Sequence, residues 1–154
     1  MRTLVLGIGN PLLTDDGVGI EVARQVRAEL AGRTDVAVEE ACAGGLAVAE
    51  RLIGYDRAVL VDAMEPGRKP GTVCVLEPGT GSSKSWNTSG AHDASLPVSM
   101  RFLKELGEPM PGRVAIVGIE AADLTSFAER LSPAVRDAVP EAMARVLELV
   151  GGAP

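Results

Sequence analysis

The chain has 154 residues, enough for one domain whose core needs no disulfide or structural metal. It carries 15 basic against 21 acidic residues, a net charge of −6 with histidine neutral, which argues against a nucleic-acid partner and an anionic membrane surface. Apolar residues make up 46% of the chain, but their runs are strand-sized and the N-terminus lacks a signal-peptide pattern. A cytoplasmic protein with no transmembrane span is expected. Cys42 and Cys74 form neither a CxxC pair nor a zinc pattern and read as free buried thiols.

Strand and helix patterns alternate without repeats or long linkers, so residues 1–154 read as a single α/β domain. The expected architecture is a three-layer α/β/α fold. Its five-stranded sheet is mostly parallel, with one antiparallel edge strand and order 2-1-3-5-4. Thr3–Ile8 is the first strand, apolar enough to be covered on both faces. A first helix over residues 17–30 carries Val18, Val22, Val26 and Leu30 on one stripe, and Gly32 stops it. Residues 35–41 form the second strand. Gly44 and Gly45 then turn the chain into a second helix over 46–53, which Gly54 ends.

Residues 57–63 form the third strand, with Asp62 at its carboxyl end. The link 64–70 is short and holds two prolines, whereas a parallel crossover needs roughly a dozen residues. The fourth strand, 71–76, should therefore pair antiparallel at an edge, bracketed by Pro70 and Pro78. Residues 79–91 are a polar loop carrying Trp86, and His92 follows it. A third helix over 95–106 has Pro97 in its first turn and Gly107 beyond its end. The fifth strand is 113–119. Ser132 as N-cap and Pro133 at the first helical position open the last helix, which Pro140 should kink or split.

The chemistry gathers around Gly7-Ile8-Gly9-Asn10 and Asp15-Asp16-Gly17. Leu12 stands where a dinucleotide fingerprint needs its third glycine, and the P-loop Gly-Lys-Ser/Thr is absent. Acids stand where a phosphate would dock on the helix N-terminus. Either acid could simply complement the helix dipole, with Asp16 the better ligand and Asp15 the better cap or support. If the order begins 2-1-3, strands one and three flank the topological switch point. Asp16 and Asp62 then face each other across it, and two such carboxylates repel unless a proton or cation lies between them. His92, the one histidine, can reach the same crevice and complete an O,O,N set with open positions, suited to a weakly held divalent transition metal.

These residues resemble the hydrogenase maturation proteases, the endopeptidases that process the large subunit of nickel–iron hydrogenases. The likeness runs through Gly7-Ile8-Gly9-Asn10, Asp15-Asp16-Gly17-Val18-Gly19, Val61-Asp62-Ala63, Pro70-Gly71, His92, Val117-Gly118-Ile119-Glu120 and Leu131-Ser132. It implies removal of a C-terminal extension from a nickel-loaded large-subunit precursor. It also implies that Asp16, Asp62 and His92 bind that metal and are the best catalytic candidates, in an endopeptidase of aspartyl or metal-dependent type. No tightly bound cofactor is implied: the substrate brings nickel, and other divalent transition metals can replace it in crystals. Gly9, Asn10, Asp15, Gly17, Gly44, Gly45 and Trp86 are the expected substrate contacts. Two rivals stand beside this reading. One is a non-proteolytic metal- or partner-binding chaperone. The other is a peptidyl-tRNA hydrolase-like esterase, disfavoured by the charge and by the absence of a histidine before position 92.

Overall fold

Every residue of the first strand, β1 (Thr3–Ile8), is buried, as its unbroken apolar run requires. A computed structural model describes residues 1–78 and 95–151. A 3-10 turn, Thr14–Gly17, follows β1 and leads into α1 (Val18–Glu29). Then come β2 (Val36–Ala41), α2 (Gly45–Arg51), β3 (Arg57–Met64), β4 (Val73–Leu76), α3 (Leu96–Glu105), β5 (Arg113–Glu120) and α4 (Pro133–Gly151). The sheet order is β2-β1-β3-β5-β4, with β4 antiparallel to β5 and every other pair parallel. This is the order and edge-strand direction expected from the short proline-bearing link after β3.

Alternation along the strands sends side chains to two separate cores. Val5, Val59, Val61, Val117 and Ile119 pack against Val18, Val22 and Val26 of α1 and Val135, Val139 and Val146 of α4. Leu4, Leu6, Leu60 and Ile116 pack the opposite face against Val48, Leu52, Leu96 and Leu103. The helices of the first two crossovers, α1 and α2, thus lie on opposite faces, and β1 and β3 part company between them. Their carboxyl ends form the topological switch point.

Residues 14–17 wind as a 3-10 turn, so the acids sit inside a tight turn ahead of α1. One local expectation changes. Pro140 does not split α4, which runs unbroken from Pro133 to Gly151. Pro140 and Arg136 are both exposed, so the interruption of the helical hydrogen bonding lies on the outer side of α4. At the opposite end of the sheet, the Arg57 guanidinium donates to the carbonyls of Leu149 (2.7 Å) and Val150 (3.2 Å), satisfying the last turn of α4. Among the described residues, no helix is long and apolar enough to cross a membrane.

The start of α1 lies directly on the sheet. A Cβ at Gly19 would come 2.2 Å from the Val61 carbonyl oxygen and 2.5 Å from that of Ile8. A Cβ at Gly7 would stand 2.4 Å from the Gly19 carbonyl oxygen. Nothing larger than hydrogen fits, and backbone on both sides cannot yield cheaply. Gly19→Ala should therefore cost about 3 kcal/mol in urea unfolding. An alanine variant as stable as the parent would contradict this contact.

Candidate active site at the carboxyl ends of β1 and β3

The turn after β1 is built from its own backbone. Gly9 has φ 145°, and a Cβ there would fall 1.8 Å from the Asp16 carbonyl oxygen, so only glycine closes the turn. The Asn10 amide donates to Asp16 Oδ2 at 2.8 Å, and Asn10 Oδ1 accepts from the Leu12 amide at 3.0 Å. That second bond is an Asx turn, the reason asparagine suits this position. Gly17 is buried, with a virtual Cβ only 2.8 Å from Pro11 Cα. It closes the turn on itself and offers little surface to a substrate.

Asp15 takes the supporting role rather than the capping one. It makes no helix-capping bond, and it is 0% exposed. Its carboxylate turns away from the crevice, toward the segment between β5 and α4. Oδ2 accepts from the Ala122 amide (2.9 Å), the Asp123 amide (2.9 Å) and the Ser132 hydroxyl (2.8 Å), while Oδ1 accepts from the Ser132 amide (2.8 Å). These four donors satisfy a buried charge without a cation. Asp15 supports the turn from behind and has no face left for a substrate.

Asp62 is on β3, one residue beyond Val61, whose carbonyl touches Gly19. It is partly buried, and its Oδ1 accepts from the Ala63 amide at 2.8 Å. Burial, chiefly, and then the negative charge of Asp16 push its carboxyl well above the ordinary carboxylate range, against the smaller opposing pull of the Ala63 amide. The two acids thus feel each other across the switch point. Among the described residues neither takes part in an ion pair. No three His, Cys, Asp or Glu side chains among them cluster as a metal-holding group. His92 and Trp86 lie outside the described residues.

The remaining candidates are spread more widely. Gly44 precedes α2 in extended conformation and Gly45 opens that helix with φ 28°. Cys42, expected to be buried, is exposed just past β2, and Cys74 is half-buried with its thiol against Met64 Sδ at 3.1 Å. Burial pushes that thiol up, away from a nucleophilic thiolate. Sequence reasoning missed the segment 122–132 as part of this end of the molecule. It has no hydrophobic period, and it is brought here by backbone amides that bond Asp15, which leave no pattern in the residue types.

The family model HycI, hydrogenase maturation protease, matches residues 20–149. The chain belongs to the hydrogenase maturation protease family. The hydrogenase 2 maturation protease of Escherichia coli is 26% identical over 148 residues, spanning 96% of this chain and 89% of that protein. The solved hydrogenase maturating endopeptidase HybD from E. coli matches with a TM-score of 0.73 at 25% identity, covering 97% of this chain and 92% of that one. A hydrogenase 2 maturation peptidase from a Thaumarchaeota archaeon matches with a TM-score of 0.70 at 28% identity, covering 98% and 99%. This hydrogenase maturation protease is therefore a peptide hydrolase, and the peptidyl-tRNA hydrolase rival falls away.

The raised carboxyl of Asp62 has a stability consequence with a definite sign. The folded protein keeps a proton that the unfolded chain releases near pH 4. Below that pH both states are protonated and the folded state bears no cost. As pH rises through the folded value the cost grows to its full size. Asp62→Asn removes it. The variant should match the parent near pH 3.5 and melt higher by at least about 2 °C at neutral pH and above. Thermal melts across that range check this, and a variant that melts lower at neutral pH would refute it.

Proposed function

We propose that this hydrogenase maturation protease removes a C-terminal extension from the large-subunit precursor of a nickel–iron hydrogenase, recognising nickel already inserted in that substrate. Asp16, Asp62 and His92 engage the metal in this reading. The supporting observation is that Asp16 and Asp62 stand close enough at the switch point for the charge of Asp16 to help raise the Asp62 carboxyl. An arriving divalent cation would gain an attraction from each carboxylate. Two hard oxygens and one imidazole suit a first-row transition ion while leaving positions for the ligands it already has in the substrate.

The relatives support the substrate class, since one is named for hydrogenase 2 maturation. The metal arrives and leaves as part of the substrate, so the protease needs no resident cofactor. Cleavage adds one water across one amide bond, giving a new carboxylate on the large subunit and a free amine on the released peptide. Gly9 and Asn10 line the turn at which the substrate backbone approaches, with Gly44, Gly45 and Trp86 as outer contacts. The compartment in this reading is the cytoplasm.

Asp16→Ala, Asp62→Ala and His92→Ala should each slow processing of nickel-loaded precursor by about 100-fold. Nickel-free precursor should stay uncut by the parent enzyme. Mass spectrometry of the large subunit over time reads both. Equal cutting of nickel-free and loaded precursor would remove metal recognition from the reading. Full-length loaded precursor persisting beside the parent enzyme would leave a non-proteolytic chaperone instead.

A further inference from the structure

Asp15 ties together two pieces of chain that lie far apart in sequence. Its four hydrogen bonds reach Ala122, Asp123 and Ser132. The same junction is sewn on the other side of the turn. The Thr14 amide donates to the Ala128 carbonyl at 3.0 Å, the Thr14 hydroxyl to the Ser126 carbonyl at 2.6 Å, and the Ala128 amide to the Leu12 carbonyl at 3.0 Å. Leu13 and Ala128 form a parallel bridge. Thr14 has φ 49°, a strained setting for a β-branched residue, and these bonds hold it there.

A continuous chain of contacts therefore runs from Asp16 to Phe127. Asp16 Oδ2 accepts from Asn10, Asn10 Oδ1 accepts from Leu12, and the Leu12 carbonyl accepts from Ala128, the neighbour of Phe127. Phe127 is 86% exposed and Leu12 50% exposed, two apolar side chains on segments that the Ala128–Leu12 bond joins, on an acidic molecule. Such a ring is costly to leave in water and is suited to an apolar stretch of polypeptide. The occupant that must reach Asp16 is the precursor, and the two side chains lie on segments hydrogen-bonded to the same turn.

We propose that Asp15 is a positioning residue for substrate binding: it sets segment 122–132, with Phe127, in register with the turn that carries Asp16, so that the precursor meets both at once. This rests on the reading of the precursor as substrate. A carboxylate is required because all four partners donate. An asparagine amide would turn its NH₂ toward an amide N–H whichever way it flips.

The test compares steady-state processing of nickel-loaded precursor by the parent enzyme, Asp15→Asn, Phe127→Ser, the double variant and Ser132→Ala. Loss of folded enzyme lowers kcat and leaves KM alone, so the readout is KM. Asp15→Asn and Phe127→Ser should each raise KM about tenfold, with kcat within about threefold. Phe127→Ser should melt like the parent. The double variant should show about the KM of Phe127→Ser alone, because both changes act through one contact. Ser132→Ala removes one of the four bonds and should raise KM about threefold; it carries the test if Asp15→Asn does not fold. An unchanged KM in Asp15→Asn, or in Ser132→Ala, overturns the proposal. So does an Asp15→Asn effect of equal size with and without Phe127. Failure of the parent enzyme to distinguish loaded from nickel-free precursor would instead defeat the metal reading and leave these comparisons intact.

Discussion

The contact on which the site depends is backbone against backbone. α1 begins so close to the carboxyl ends of β1 and β3 that Gly19 touches the carbonyls of Ile8 and Val61. With that contact made, the remaining geometry has little freedom. Asp16 stands three residues before Gly19 and Asp62 one residue after Val61, so the two carboxylates are brought to the same gap. Gly7 and Gly9 extend the same constraint back into β1 and the turn. A side chain at any of these positions would lift the helix and separate the acids.

The two adjacent acids of the turn are thereby sorted into opposite environments. Asp15 goes inward and finds four donors, which makes its charge part of the scaffold. Asp16 stays at the crevice with one backbone donor and another acid as its electrostatic neighbour. The first arrangement stabilises the loop junction. The second is a standing electrostatic cost held in place by the packed sheet beneath it, which is how functional sites commonly differ from their surroundings.

Much of this was legible in the residues. Continuous apolar runs marked β1 and β3 as central strands, and the two prolines in the seven residues after β3 ruled out a crossover, which fixed β4 as antiparallel. The switch point followed from that order, and with it the nearness of Asp16 and Asp62. What the residues could not show was the destination of Asp15. Its partners lie more than 100 positions away and are mostly backbone amides, which any residue supplies. Pro140 does not split its helix because it sits on the exposed side of α4, away from the packed stripe. Cys42 read as buried on residue type alone, while its place just beyond an edge strand exposes it.

β3 has a different duty at each end. Arg57 opens it and secures the last turn of α4 through the carbonyls of Leu149 and Val150. Asp62, five residues on and about 16 Å away along the strand, belongs to the crevice. The end of α4 is thus moored at the pole of the molecule opposite the chemistry. A reporter dye, an affinity handle or a surface tether attached at the end of that helix would stand clear of the crevice, whereas one attached near Leu12 or Phe127 would stand beside the turn that carries Asp16.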